Sequence, residues 1–219
     1  MEIRVSADIT RACPDFEGAA ILCSVQNSLH HPELWEQIAR FEEQLLSDTA
    51  LADVNQHPVI AATRRAYKVL GKDPNRYRPS AEALRRRLIR GLGLYKINTL
   101  VDLINVVSLC SGYSIGGFDA TKIEGNLILG VGEADERFEA IGRGLLNIHG
   151  LPVYRDDRGG VGTPTSDEER TKIDPETKKI LIIINGYNGR AGLPETVGLC
   201  SELLIKFANA REITSFYFK

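Results

Sequence analysis

The run Ile97 to Asp119, I-N-T-L-V-D-L-I-N-V-V-S-L-C-S-G-Y-S-I-G-G-F-D, constrains this chain more than any other stretch. Leu100, Val101, Leu103, Ile104, Val106, Val107, Leu109 and Cys110 leave almost no polar face. A helix here must be buried on most sides, so the rest of the chain has to wrap it. Thr99 followed by Asp102 gives a capping-box start, Gly112 a left-handed stop, and Gly116-Gly117 a loop beyond it. Asp102, Asn105 and Ser108 fall at three-residue steps on one helix face. A polar stripe on a buried helix needs partners, in the protein's own backbone or in a ligand. Asp102 is accounted for by the cap. Asn105 stays open between two roles: a bond to the loop that follows and a contact to a ligand. Asparagine is a poor helix former, and burying its amide unpaired costs roughly 1–3 kcal/mol.

The flanking sequence is helical before this run and strand-like after it. Glu2 to Asp8 alternates as a strand, and Phe16 to Val25 is apolar enough for a buried one. Pro32 to Leu46 places Leu34, Ile38, Phe41 and Leu45 on one stripe of a helix. Pro58 to Leu70 forms a second helix stopped by Gly71. Ser80 caps a third, Ala81 to Leu92. Beyond the central helix the period becomes two, predicting strands over 127–131, 138–141, 151–155, 171–173 and 179–185. The continuous apolar run Ile180 to Ile184 makes that last strand central. A helix from Pro194 and a strand over 213–218 close the chain. The expectation is an α+β fold, a single module over 1–219, with a helical first half packed on a largely antiparallel, barrel-like sheet in the second half.

The chain has 219 residues and a net charge of -2. That charge is uneven: residues 63–90 carry ten Lys or Arg against two acids, a local +8, and the remainder sums to -10. Such asymmetry points to an anionic partner for one face. Arg64, Arg65, Lys68, Arg85, Arg86 and Arg87, interleaved nearby with Tyr67 and Tyr77, are candidate RNA contacts. A salt-bridged face explains the same run equally well. Cys13, Cys23, Cys110 and Cys200 lack C-x-x-C spacing and read as free thiols of a reducing, cytoplasmic compartment. The N-terminus lacks a signal-peptide pattern, and no apolar run approaches a membrane span. His30, His31, His57 and His149 lack metal-ligand spacing, so no metal or cofactor is expected. No G-x-S-x-G or comparable nucleophile motif occurs, and no catalytic residue is assigned. Gly159-Gly160-Val161-Gly162-Thr163 lacks the ending of a phosphate loop and reads as a hairpin.

Several motifs together resemble the editing domain, the B-three/B-four module, of the phenylalanyl-tRNA synthetase beta subunit. They are Ile97-Asn98-Thr99-Leu100-Val101-Asp102-Leu103-Ile104-Asn105, then Gly112-Tyr113-Ser114-Ile115-Gly116-Gly117-Phe118-Asp119, then Lys122-Ile123-Glu124-Gly125. Arg78-Pro79-Ser80 and Tyr154-Arg155-Asp156-Asp157 are similar to segments of stand-alone proteins built from this module. The resemblance is clearest over 78–185, and the chain has no room for a full synthetase. It implies recognition of tRNA or aminoacyl-tRNA, with hydrolysis of a mischarged ester as the family activity. A non-catalytic RNA-binding or amino-acid-binding module is the alternative. The resemblance places Asn105 in the pocket, with Gly116 and Gly117 as amide donors and Arg170 and Thr171 beside them. It also implies departures: Ile104, Gly116 and Ile183 stand where the family carries Thr, His and Glu.

Overall fold

The computed structural model describes residues Met1–Lys219. In chain order its elements begin with β1 (Ile3–Val5), α1 (Ala7–Ala12), β2 (Glu17–Ser24), α2 (Pro32–Asp48), α3 (Pro58–Val69), α4 (Ser80–Ile89) and α5 (Thr99–Ser111). Next come β3 (Ile115–Asp119), β4 (Leu127–Val131), β5 (Glu139–Ala140), β6 (Gly144–Leu145), β7 (Pro152–Asp156) and β8 (Gly159–Gly162). The last three are β9 (Lys179–Gly186), α6 (Leu193–Ala208) and β10 (Arg211–Phe218).

β9 is apolar at every central position because both of its faces are covered. It lies inside the sheet β10-β2-β9-β3, antiparallel to β2 on one side and to β3 on the other. Ile180, Ile182 and Ile184 pack with Ala19, Ile21 and Cys23 against α5 and α6, in a core that includes Leu100, Leu103, Val107, Cys200 and Leu204. Leu181 and Ile183 face the opposite way. They meet Leu127, Leu129 and Tyr154 of a second sheet, β1-β4-β7-β8. The molecule is therefore three layers: helices, one sheet, another sheet. The expected α+β class holds, but the sheets stay open and no barrel closes.

Several local expectations change. Ser6, not a continuing strand, follows Val5; its side chain accepts from Ile9 N and starts α1. Asn98 caps α5, its side chain accepting from Val101 N, so Thr99 is the first helical residue and not the cap. Ser80 is likewise the first residue of α4, after Pro79. Thr171 to Ile173 is not a strand: a short helical turn, Glu169–Thr171, occupies its start. Gly116-Gly117 is the middle of β3, paired with Ile183 and Ile182. A Cβ on Gly117 would stand 2.5 Å from Ile104 Cδ1, and one on Gly116 would stand 2.7 Å from the Phe118 ring. Glycine here permits close packing of α5 on the strand; it does not mark a turn.

Candidate functional site

The polar stripe of α5 resolves residue by residue. The Asp102 carboxylate accepts from Trp35 Nε1 at 2.8 Å and from Ile97 N at 3.0 Å, so it closes the helix start and pins α2. Ser108 Oγ donates to Tyr113 O at 2.7 Å across the glycine stop. Asn105, half-buried between them, makes helix backbone bonds within α5, but its side-chain amide has no hydrogen bond to the protein. Its side chain instead lines a cavity of about 470 Å³, a size suited to a small ligand.

Two elements and the loops beside them build the walls. α5 contributes Val101, Ile104 and Asn105, and Ile97 and Asn98 stand just before it. β3 contributes Ile115 and Gly117, while Ile141, Asp167 and the segment 172–175 complete the rim. β3 is an edge strand, and on that edge the Gly117 N–H donates to Asp167 Oδ2 at 3.1 Å. This is the one hydrogen bond that the Asp167 carboxyl receives, and no basic side chain forms a salt bridge to it. Burial pushes this carboxyl up to about 7, with the Gly117 N–H opposing the shift. The other charges at the cavity have partners. Lys172 is ion-paired to Glu169, and Asp174 accepts from Lys122 Nζ at 2.7 Å, which holds its carboxyl below the usual range.

The structure brings Asn105 and Gly117 into one wall and leaves the other expected pocket residues elsewhere. Gly116 is on the opposite face of β3 from Gly117: its Cβ would meet the Phe118 ring at 2.7 Å and Asp167 Oδ1 at 3.2 Å, so the Asp167 carboxyl straddles the strand edge with one oxygen on Gly117 N and the other on the Gly116 face. Arg170 clamps Asp156 with bonds of 3.0 and 2.9 Å and donates to Lys122 O at 3.1 Å. Burial disfavours the Asp156 anion, but Arg170 and the N–H groups of Glu124 and Arg158 outweigh it and hold the carboxyl low. Thr171 is fully buried with its hydroxyl unpartnered. Among the three family departures, Ile104 lines the cavity. Ile183, paired with Gly116, lies between the two sheets. Asp167 was not singled out from sequence: it is one of three consecutive acids, and only its contact with the edge of β3 distinguishes it.

The basic segment divides in the same way. Glu82, fully buried, takes Arg64 and Arg86 at 2.8 Å and Arg78 at 3.5 Å. Arg85 donates to Leu109 O at 2.6 Å, tying α4 to α5. Arg87 donates to Gly93 O at 2.7 Å and stacks over Tyr95. Arg65 and Lys68, three residues apart on α3, are exposed and free of ion pairs.

Comparison with known proteins agrees with the motif resemblance. The B3/4 domain family matches residues 62–203. Over 106 residues the chain is 34% identical to the phenylalanine–tRNA ligase beta subunit of Bartonella henselae, covering 47% of this chain and 13% of that protein. Over 132 residues it is 29% identical to the phenylalanine–tRNA ligase beta subunit of Bartonella quintana, covering 58% of this chain and 16% of that protein. The match thus spans a small part of the length of these relatives. A solved N-terminal fragment of the phenylalanyl-tRNA synthetase beta subunit from Pyrococcus horikoshii aligns over 99% of this chain and 50% of its own, at 13% identity and a TM-score of 0.49. No helix is long and apolar enough to cross a membrane.

Proposed function

We propose a function from one premise: the chain belongs to the B3/4 domain family. Its cavity receives the aminoacyl end of a tRNA and hydrolyses the ester when the amino acid is the wrong one. The observation that carries this reading is Asn105, a half-buried amide without a protein partner, set in a mostly apolar cavity within the family-matched stretch. Ester hydrolysis asks little of a protein beyond a positioned carbonyl and a positioned water. Asn105 supplies a donor and an acceptor for that orientation. Arg65 and Lys68 offer phosphate contacts on α3. No metal or cofactor enters this scheme, and the setting is cytoplasmic translation.

A second reading, recognition without hydrolysis, is favoured by one contact. The Gly117 N–H, a candidate donor to a developing oxyanion, is already held by Asp167. A panel of mischarged tRNAs separates the two. Hydrolysis predicts loss of ester from at least one member above the buffer rate, and a slower loss with Asn105→Ala. If no member is deacylated but mischarged tRNA still shifts in a native gel, the binding reading replaces it. If none is deacylated and none shifts at low salt, both fall.

A further inference from the structure

Asp167 sits where three strands come together. Its backbone bridges to Gly162 at the end of β8, and its carbonyl accepts from Ile141 N at 3.0 Å just past β5. Only its side chain reaches β3. One carboxyl oxygen takes the Gly117 N–H, and the other lies in a niche floored by glycine. A Cβ at Gly116 would stand 3.2 Å from that second oxygen and one at Gly162 would stand 2.9 Å from it, with the Phe118 ring against both positions. The charged groups on the surrounding elements are engaged elsewhere. On β3, Asp119 accepts from the hydroxyls of Thr121 and Thr177. On the rim, Glu169 pairs with Lys172, Asp174 with Lys122, and Arg170 with Asp156 and Glu168. Glu139 of β5 is exposed, β8 carries no titratable group, and Asp102 of α5 is bonded to Trp35.

We propose that the Asp167 side chain is an autoinhibitory plug: it covers the Gly117 N–H while neutral and swings off the strand edge when it ionises. The proposal rests on the hydrolytic reading above, in which that N–H is the donor to a developing oxyanion. A neutral carboxyl suits the glycine and phenylalanine niche. A carboxylate held there has one N–H and no cation, and burying such a charge is costly. Burial accordingly pushes this carboxyl up to about 7, against the single opposing bond from Gly117. Rotation of the side chain alone moves the charge out, because the backbone at 167 stays tied to Gly162 and Ile141. A plugged carboxyl binds its proton more tightly than a released, solvated one. Release is therefore least favourable below the ordinary carboxylate range, becomes easier by up to about tenfold per pH unit, and levels off above about 7.

The test follows backbone hydrogen exchange of the full chain from about pH 5 to about pH 8, each rate corrected for the pH dependence of exchange in an unstructured peptide. Protection of the Gly117 N–H is expected to fall about tenfold or more between pH 5 and pH 7 and then level off, while the β9 N–H groups stay protected throughout. Asp167→Asn keeps an acceptor without a charge, so Gly117 protection should stay high and flat. Asp167→Ala should leave Gly117 poorly protected at every pH. Wild-type protection that does not change with pH would overturn the proposal. So would the same fall in Asp167→Asn, full protection of Gly117 in Asp167→Ala, or a fall shared by the β9 N–H groups, which reports general unfolding. The two readings fail separately. Release of the Gly117 N–H with rising pH, without deacylation of any mischarged tRNA, would sink the hydrolytic reading and leave the pH-gated contact standing. Deacylation with Gly117 equally protected at every pH would do the reverse.

Discussion

Asp167 and Asn105 differ in what the free protein gains from them, and stability measurements can separate them. The Asp167 carboxyl is raised to about 7 by burial, from an ordinary value of 3.8. The folded state therefore holds this proton more tightly than the unfolded chain does. Its contribution to stability is fully present below the ordinary carboxylate range and is lost as pH rises through about 7. Asp167→Asn removes the charge and keeps an acceptor for Gly117 N–H. It should raise stability at pH above 7 by roughly 1–2 kcal/mol and leave stability near pH 4 almost unchanged, as read by thermal melts at the two extremes. Asn105→Ala removes no protein hydrogen bond and improves helix propensity, so it should be neutral or stabilising by roughly 0.5 kcal/mol. Asp102→Ala leaves the Trp35 indole and the Ile97 N–H unpaired and should cost roughly 1–3 kcal/mol in denaturant unfolding. Asn105 was legible in sequence because a polar residue interrupts an apolar helix. Asp167 was not, because Asp167-Glu168-Glu169 offers three equivalent acids.

The site exists because α5 lies close on an edge strand, and glycine at position 117 allows that closeness. Gly117→Ala places a methyl 2.5 Å from Ile104 Cδ1 and 3.0 Å from Ile173 Cδ1. Both neighbours are flexible side-chain tips, so the fold should survive at a cost of about 1–3 kcal/mol. The cavity should shrink, and deacylation of a mischarged tRNA should slow. α4 depends on a different element contact: Glu82 sits with no exposure among Arg64, Arg78 and Arg86. Glu82→Ala should destabilise by about 1–3 kcal/mol, seen as a lower denaturant midpoint, because it removes the shared partner of three partly buried guanidinium groups. The long elements were legible where one period dominated, as in α2, α3, α5 and β9. β3 was hidden because its strand character comes from pairing with Ile180–Ile184, while its own two glycines read as a turn. The strand expected over 171–173 failed for a related reason. Glu168 caps a short helical turn there, its side chain accepting from Arg170 N at 2.7 Å, while the Arg170 side chain reaches Asp156.

At the scale of the molecule, a helical layer, a sheet covered on both faces and a second open sheet leave the cavity at the free edge of the middle layer. The three layers follow from sequence at β9, whose unbroken apolar run demanded cover on both sides. The openness of the sheets did not, since strand periodicity carries no information about closure. The local +8 was legible as a charge excess but not as a surface. Most of its arginines bind Glu82, Leu109 O or Gly93 O, and Arg65 and Lys68 remain free on α3. Changing both to Ala should weaken tRNA binding uniformly and lower the slope of log affinity against log salt by about 1–2. The most direct test compares the affinity of one tRNA carrying an amide-linked, non-hydrolysable aminoacyl group with that of the same tRNA uncharged, at one salt concentration. The charged form is predicted to bind more tightly, and the difference should vanish in Asn105→Ala. Equal binding of charged and uncharged tRNA by the wild-type chain would contradict recognition of an aminoacyl end in this cavity.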